Sequence, residues 1–204
     1  MIPRHQRILF WILLVSSVVM SVILIRLRER AHDRLLDASQ TMPLNPPSHA
    51  AAQDVTLMIA NDANGSLTSF HEKIALPGDE NARAHVVLQR LISIYAQPGS
   101  AHPIAANSGV HEIFFLPLPP AVNTVVPGEM AVVNLSGSFA AEHPSGIEPE
   151  TLTLLSILGT LHANFPDITQ VRFLVDGQPR ETLAGHADLS RVYLAADSPD
   201  VKHL

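Results

Sequence analysis

The chain has 204 residues, a formal net charge of −6, eleven histidines and no cysteine. Six of its thirteen Lys and Arg but only three of its nineteen acids fall in residues 1–37, which leaves seven bases against sixteen acids, a net of −9, in residues 38–204. So acidic a domain repels phosphate backbones, which argues against nucleic acid as a partner, and the lack of cysteine excludes disulfides, thiolate zinc sites, a cysteine nucleophile and a lipidated N-terminal cysteine.

Ile8 to Ile25 reads ILFWILLVSSVVMSVILI, eighteen residues without a charge. At about 1.5 Å per residue it reaches roughly 27 Å, close to a bilayer core of about 30 Å, and Trp11 stands near one end, where interfacial aromatics sit. Only Ser16, Ser17 and Ser21 interrupt it, so it lacks the polar face of a core helix. Arg26-Leu-Arg-Glu-Arg30 follows, where a cleaved signal peptide would carry small residues. Residues 1–37 therefore read as an uncleaved single-pass anchor with a juxtamembrane helix, embedded in the lipid bilayer through residues 8–25. Two arginines precede the span and four follow it closely, a count that favours a cytoplasmic C-terminus.

Residues 38–53 hold Pro43, Pro46 and Pro47 without apolar periodicity and read as a linker, able to reach roughly 50 Å at about 3.1 Å per residue. Residues 54–60 are the first predicted strand. A turn-rich Asn61-Asp-Ala-Asn-Gly65 leads into a second strand over 66–76, which Pro77-Gly78 ends. Asp79 is the expected N-cap of a helix to Tyr95, with Ala84, Val87, Leu88, Leu91, Ile92 and Tyr95 as its apolar face. A loop over 97–109 precedes a strand at 110–116, a long proline-rich connection over 117–128, and a strand at 129–135. Ser145-Gly-Ile-Glu148 has capping-box spacing, with Pro149 where a missing N–H costs least. Leu152, Leu155, Leu158 and Leu161 recur at helical spacing, widened by Leu154, Ile157 and Phe165, and Phe165-Pro166 stops the helix. A strand at 170–175 meets the hairpin signal Asp176-Gly177. A last strand is expected at 178–183, at an edge because Pro179 cannot donate to a ladder. The order β(β)αββαβ(β) predicts an α/β fold of the α+β kind. It is a two-layer sandwich whose mixed sheet carries two helices on one face, over residues 54–196, with a tail at 197–204.

No histidine pair shows HxH, HxxxH or HExxH spacing, so no metal site is expected, and without GxGxxG or GxxxxGKS no cofactor is expected. The nearest approach to a nucleophile elbow, Leu135-Ser-Gly-Ser-Phe139, lacks the flanking glycines of GxSxG. With His186 and Asp188 later in the chain a Ser/His/Asp set can be written down, as in any chain rich in Ser and His, and no catalytic residue is assigned. Glu148 and Glu150 have the look of paired acids, but a helix start explains them through capping and the macrodipole. In Thr182-Leu-Ala-Gly-His-Ala-Asp-Leu-Ser190, Gly185 can supply a positive φ, Asp188 and Ser190 can bond local N–H groups, and His186 can pair with Asp188 or a carbonyl. The alternative makes Gly185, His186, Asp188 and Ser190 a recognition loop.

The string NLSGSF, the capped Leu-rich helix and VRFLVDGQPRETLAGHADLS together resemble the GerMN domain, and the likeness extends upstream to about Asp54. That resemblance implies a single copy of a domain found in membrane-attached envelope proteins of many bacteria, facing away from the cytoplasm, with no established catalytic activity. It also implies a fold similar to the ring-building motifs of secretion-type complexes. The outward orientation it implies opposes the arginine count. The expected function is then a membrane-anchored, extracytoplasmic, non-catalytic interaction domain of the cell envelope, in sporulation, germination or cell-wall-associated assembly. Its partners would be envelope proteins and peptidoglycan. The alternative is a peptidoglycan-binding protein or an envelope hydrolase.

Overall fold

The computed structural model describes residue 20, residues 52–119 and residues 128–195. The apolar stretch 8–25, the juxtamembrane helix, nearly all of the linker and the tail from 196 lie outside the described residues. Among the described residues, no helix is long and apolar enough to cross a membrane. The chain divides into two units, Met1–Pro43 and Leu44–Leu204, and the second holds every strand and every complete helix among the described residues.

Strands β1 (Ala52–Asn61) and β2 (Ser66–Ala75) form an antiparallel hairpin in continuous register, Ala52 opposite Ala75 and Asn61 opposite Ser66. The first strand starts at Ala52, two residues inside the stretch read as linker. Helix α1 (Glu80–Tyr95) comes next, with the Asp79 carboxylate accepting from Ala82 N at 2.8 Å and the six expected apolar residues buried. Then come β3 (Val110–Pro117), β4 (Glu129–Leu135), a short helix α2 (Gly137–Glu142), helix α3 (Ile147–Asn164), β5 (Ile168–Val175) and a two-residue β6 (Tyr193–Leu194).

The single mixed sheet expected from the sequence is two sheets. The hairpin stands alone, and a four-stranded sheet runs β3-β4-β5-β6, with β4 and β5 parallel and the outer pairs antiparallel. Side-chain hydrogen bonds explain the split. The β1 edge facing away from β2 meets α3 instead of a strand. Asn164 accepts from Thr56 N at 3.0 Å and donates to Thr56 O at 2.7 Å, Thr160 Oγ1 accepts from Met58 N at 2.9 Å, and Ser156 Oγ donates to Met58 O at 2.5 Å. The Tyr95 hydroxyl accepts from Ala60 N at 2.8 Å. Ser156, Thr160 and Asn164 are four apart, one stripe of a helix, and they satisfy backbone groups that would otherwise require a strand. The free edge of β3 is treated alike: Asn81 of α1 accepts from Phe115 N at 3.2 Å, and His85 Nε2 donates to Val110 O at 2.9 Å.

The expected strand over 178–183 does not form. Asp176 (φ 49°) and Gly177 (φ 71°) make the turn, and Val175 and Gln178 exchange both backbone bonds at 2.9 Å, but pairing stops there. Pro179 has no N–H to continue the ladder, and the neighbour of β5 is β6 instead. The short helix α2 is an addition to the expected order. Ser136 begins it as N-cap, its hydroxyl accepting from Phe139 N at 3.1 Å.

The α3 cap differs from the expected box by one residue. Gly146, not Ser145, is the N-cap, and the carboxylate reaching back to it belongs to Glu150, whose Oε1 accepts from Gly146 N at 3.1 Å. Ser145 instead donates to Ala184 O at 3.0 Å. The helix is buried almost all round, from Leu152 through Leu161, and ends at Phe165 before the proline as expected. A helix with almost no solvated face belongs inside, and its few polar side chains there are hydrogen-bonded.

One core joins α1, α3, β1 and the inner face of the four-stranded sheet, where Ile113, Val133, Val171, Phe173 and Tyr193 point. The opposite face of that sheet is uncovered by the described residues. Phe114 (44% exposed) and Leu116 (49%) lie on it from β3, and Leu194 (51%) lies on it from β6. Val192 (39%), just before β6, is exposed as well. Met130 and Val132 of β4 and Leu174 of β5 lie half-buried or nearly so between them.

Candidate functional site

Two polar clusters sit at the start of α3. The first is built on Glu150, whose carboxylate is 0% exposed. Its Oε2 accepts from the backbone N–H groups of Ala184 (3.0 Å), His186 (2.9 Å) and Ala187 (2.8 Å), and its Oε1 accepts from His186 Nδ1 at 3.0 Å. The loop over 184–190 is thus wrapped around one carboxylate. Gly185 makes the wrap possible: its φ of 122° lies where a side chain is strained. Burial opposes ionisation of Glu150, but the N–H groups of Ala187, Ala184 and His186 outweigh it and hold its pKa down to about 2.

His186 pairs with Glu150 and not with Asp188. It is 42% exposed, and its Nδ1 also lies 3.4 Å from Ser145 Oγ. Asp188 closes a local turn, accepting from Ser190 N at 2.8 Å and Ser190 Oγ at 2.6 Å; these two bonds lower its pKa. The Tyr193 hydroxyl donates to Asp188 O, and Arg191 stacks 4.2 Å above the Tyr193 ring. Gly185 and His186 therefore face Glu150, while Asp188 and Ser190 face one another. Ser136 and Ser138 bond to each other at 3.0 Å, and Ser138 donates to Asn107 O; neither joins His186 or Asp188. Glu148 turns away from Glu150 toward the β1–β2 turn, where a Cβ on Gly65 would come within 2.6 Å of its Oε1.

The second cluster joins residues that sequence reasoning does not connect. His102 Nδ1 lies 2.5 Å from Asp62 Oδ1, and His102 Nε2 lies 2.7 Å from Thr153 Oγ1. His143 Nε2 reaches the same hydroxyl at 2.7 Å, and its Nδ1 lies 2.8 Å from Pro144 O. A carbonyl only accepts, so His143 carries its proton on Nδ1, and the one Thr153 hydroxyl proton is shared between Pro149 O and the Nε2 of a neutral ring. The hydroxyl in turn accepts from His102 Nε2–H, and His102 Nδ1 faces the Asp62 carboxylate. Burial lowers the pKa of His143, in keeping with a neutral ring. Asp62, His102 and Thr153 have the connectivity of an acid–imidazole–hydroxyl triad. Yet Thr153 is 1% exposed and its hydroxyl is shared with His143 and with Pro149 O at 3.0 Å, so no substrate carbonyl reaches it. The legible signal is the hydroxyl stripe Thr153, Ser156, Thr160 within an otherwise leucine-rich helix. Tyr95 ends the same polar seam, its phenol 2.5 Å from Ser156 Oγ and its pKa raised to about 12 by burial. Among the described residues, no three His, Asp or Glu are grouped as metal ligands.

Solved structures resemble the chain in part. A lipoprotein from Clostridium perfringens superposes at a TM-score of 0.44 with 22% identity, over 78% of this chain and 98% of that one. The first GerMN domain of the sporulation protein GerM from Bacillus subtilis gives 0.42 and 20%, over 68% of this chain and 98% of that one. The tandem GerMN domains of the same protein give 0.46 and 17%, over 72% of this chain and 48% of the tandem. No curated protein matches the chain. Residues 47–181, more than half of the sequence, match the model of the family described as Germane: sporulation and spore germination. The chain is therefore a member of the Germane family and carries a GerMN-like domain.

Proposed function

We propose that this chain is a membrane-anchored, extracytoplasmic interaction module of the bacterial cell envelope, without catalytic activity of its own. In this reading residues 1–37 hold it in the cytoplasmic membrane, the linker sets it off the surface, and residues 54–196 form the working domain. The observation that carries the reading is the uncovered face of the four-stranded sheet. Exposed Phe114, Leu116 and Leu194 flank a half-buried centre of Met130, Val132, Arg172 and Leu174 there, and exposed apolar side chains grouped on one face mark interaction sites. By contrast, the polar clusters at α3 are closed on themselves, each buried acid and hydroxyl bonded to its own backbone or neighbour.

The test is a pair of substitutions on that face, Phe114→Ser with Leu194→Ser, in the full chain expressed in its host. The protein should accumulate in the membrane at normal levels and fail to complement a deletion. Full complementation would refute the module reading. A reporter active only outside the cytoplasm, fused after Leu204, should be active; signal from a cytoplasm-only reporter would reverse the orientation.

One observation favours a second reading, an envelope hydrolase. His186 is half-exposed with Nδ1 held by a buried carboxylate, which is how a general base is oriented. Complementation by a His186→Ala variant separates the two readings.

A further inference from the structure

At the middle of the uncovered face stands a charge. Arg172 of β5 lies opposite Val132 of β4, whose other neighbour is Phe114 of β3. On its other side β6 pairs Leu194 with Gln170, one row from Arg172. The guanidinium is half-buried and forms no ion pair or hydrogen bond among the described residues. Water can solvate it only while the face stays open. A purely apolar cover would strand the charge, and a buried unpaired charge is among the costliest things an interface can contain. Glu112, the other charge on this face, stands two strands and one row away, so a cover that brings an anion to the centre removes that cost.

We infer that the uncovered face of the β3–β6 sheet receives an amphipathic helix of a partner protein, with a carboxylate inside its apolar stripe paired to Arg172. This rests on the interaction-module reading. A helix suits the space. The side-chain rows through Leu116, Phe114 and Glu112 run about 13 Å along the strands, the length of roughly nine helical residues. Covering a bare sheet face with a helix completes the ordinary layered arrangement. Two other occupants fit worse. A second copy packed by a two-fold axis parallel to the strands would set β3 against β6, Leu116 against Leu194. It would also seat each Arg172 on Val132 of the other copy, with the second guanidinium beside it and no anion to pair with. An anionic bilayer surface would have to approach a domain whose residues 38–204 carry a net charge of −9. The same acidity favours a partner helix with basic flanks beside its apolar stripe.

The experiment uses the full chain tethered on a sensor surface and two synthetic helical peptides. Both have a Leu/Ala stripe and Lys flanks, and they differ only in carrying Glu or Gln at the stripe's centre. The Glu peptide is expected to bind about tenfold tighter than the Gln peptide. Arg172→Ala should erase that difference, and Arg172→Lys should restore part of it. Phe114→Ser with Leu194→Ser should weaken both peptides at least tenfold with an unchanged thermal melt. Equal binding of the two peptides to the unsubstituted chain overturns the Arg172 assignment. The module reading is judged separately, by complementation. Binding of neither peptide overturns the helix as occupant. A chain that sediments as a dimer and becomes monomeric on Phe114→Ser puts a second copy on the face. Retention on phosphatidylglycerol vesicles that Arg172→Ala abolishes puts lipid there. Either result overturns the inference.

Discussion

Glu150 does at residue scale what a strand does elsewhere: it gathers backbone donors. Three N–H groups from one loop and one from its own helix start converge on it. Charge-assisted bonds of this kind are worth about 1.5–3 kcal/mol each to lose, so Glu150→Gln is expected to destabilise by about 2–4 kcal/mol. Chemical denaturation checks this, and a loss under about 1 kcal/mol would mean the loop holds itself. Gly185→Val should cost more than about 1 kcal/mol, because φ is 122° there. His186→Ala should cost less, since the ring supplies only one of the bonds to Glu150. It should also leave partner binding within a few-fold and complement in cells. A stable His186→Ala chain that fails to complement would promote the hydrolase reading. Gly185 as a positive-φ position and the Asp188–Ser190 turn were readable from residue type. The partner of His186 was not, because Glu150 is 36 residues earlier and reaches the loop only through the fold.

At the scale of elements, helices and strands were legible because each carries its own period and caps. Asp79 and the α1 apolar face stand where predicted, and β4 spans the predicted 129–135. The sheet arrangement was not legible, because it depends on where hydroxyl and amide side chains fall in three dimensions. Ser156, Thr160 and Asn164 look like interruptions of a leucine pattern, and they turn out to replace a neighbouring strand. Thr160→Val keeps the shape and removes the acceptor for Met58 N, a buried donor. It should cost about 1–3 kcal/mol, measured by urea denaturation; a neutral result would mean that water or another group takes over. Phe173→Ala empties a fully buried site on the inner sheet face and should cost about 3–5 kcal/mol. Leu155, part of the expected apolar face of α3, is only partly buried, so its truncation should cost less.

For the molecule as a whole, the two clusters make folding sensitive to acid in two stages. His143 is held below its ordinary 6.5 by burial. The unfolded chain therefore takes up that proton first, and the contribution is present above 6.5 and lost as pH falls below it. Glu150 is held near 2 against an ordinary 4.5. Its contribution is complete above 4.5 and is lost as pH falls from there through about 2. Melting temperature should fall in both windows, with His143→Gln removing the first decline and Glu150→Gln the second. A flat profile between about pH 7 and 3 would contradict both assignments. The helix-capped edge of β1 also has a consequence in time. Its bonds join residues 98 to 108 apart in sequence, so the loop they close is long and entropically costly. A ribosome adding about 5–20 residues per second releases α3 roughly 5–20 seconds after β1. For that interval the N-terminal hairpin has an open edge and no helix to dock on. Docking is then a late step of folding. Thr160→Val should speed unfolding while leaving the refolding rate nearly unchanged, the signature of an interaction absent from the transition state.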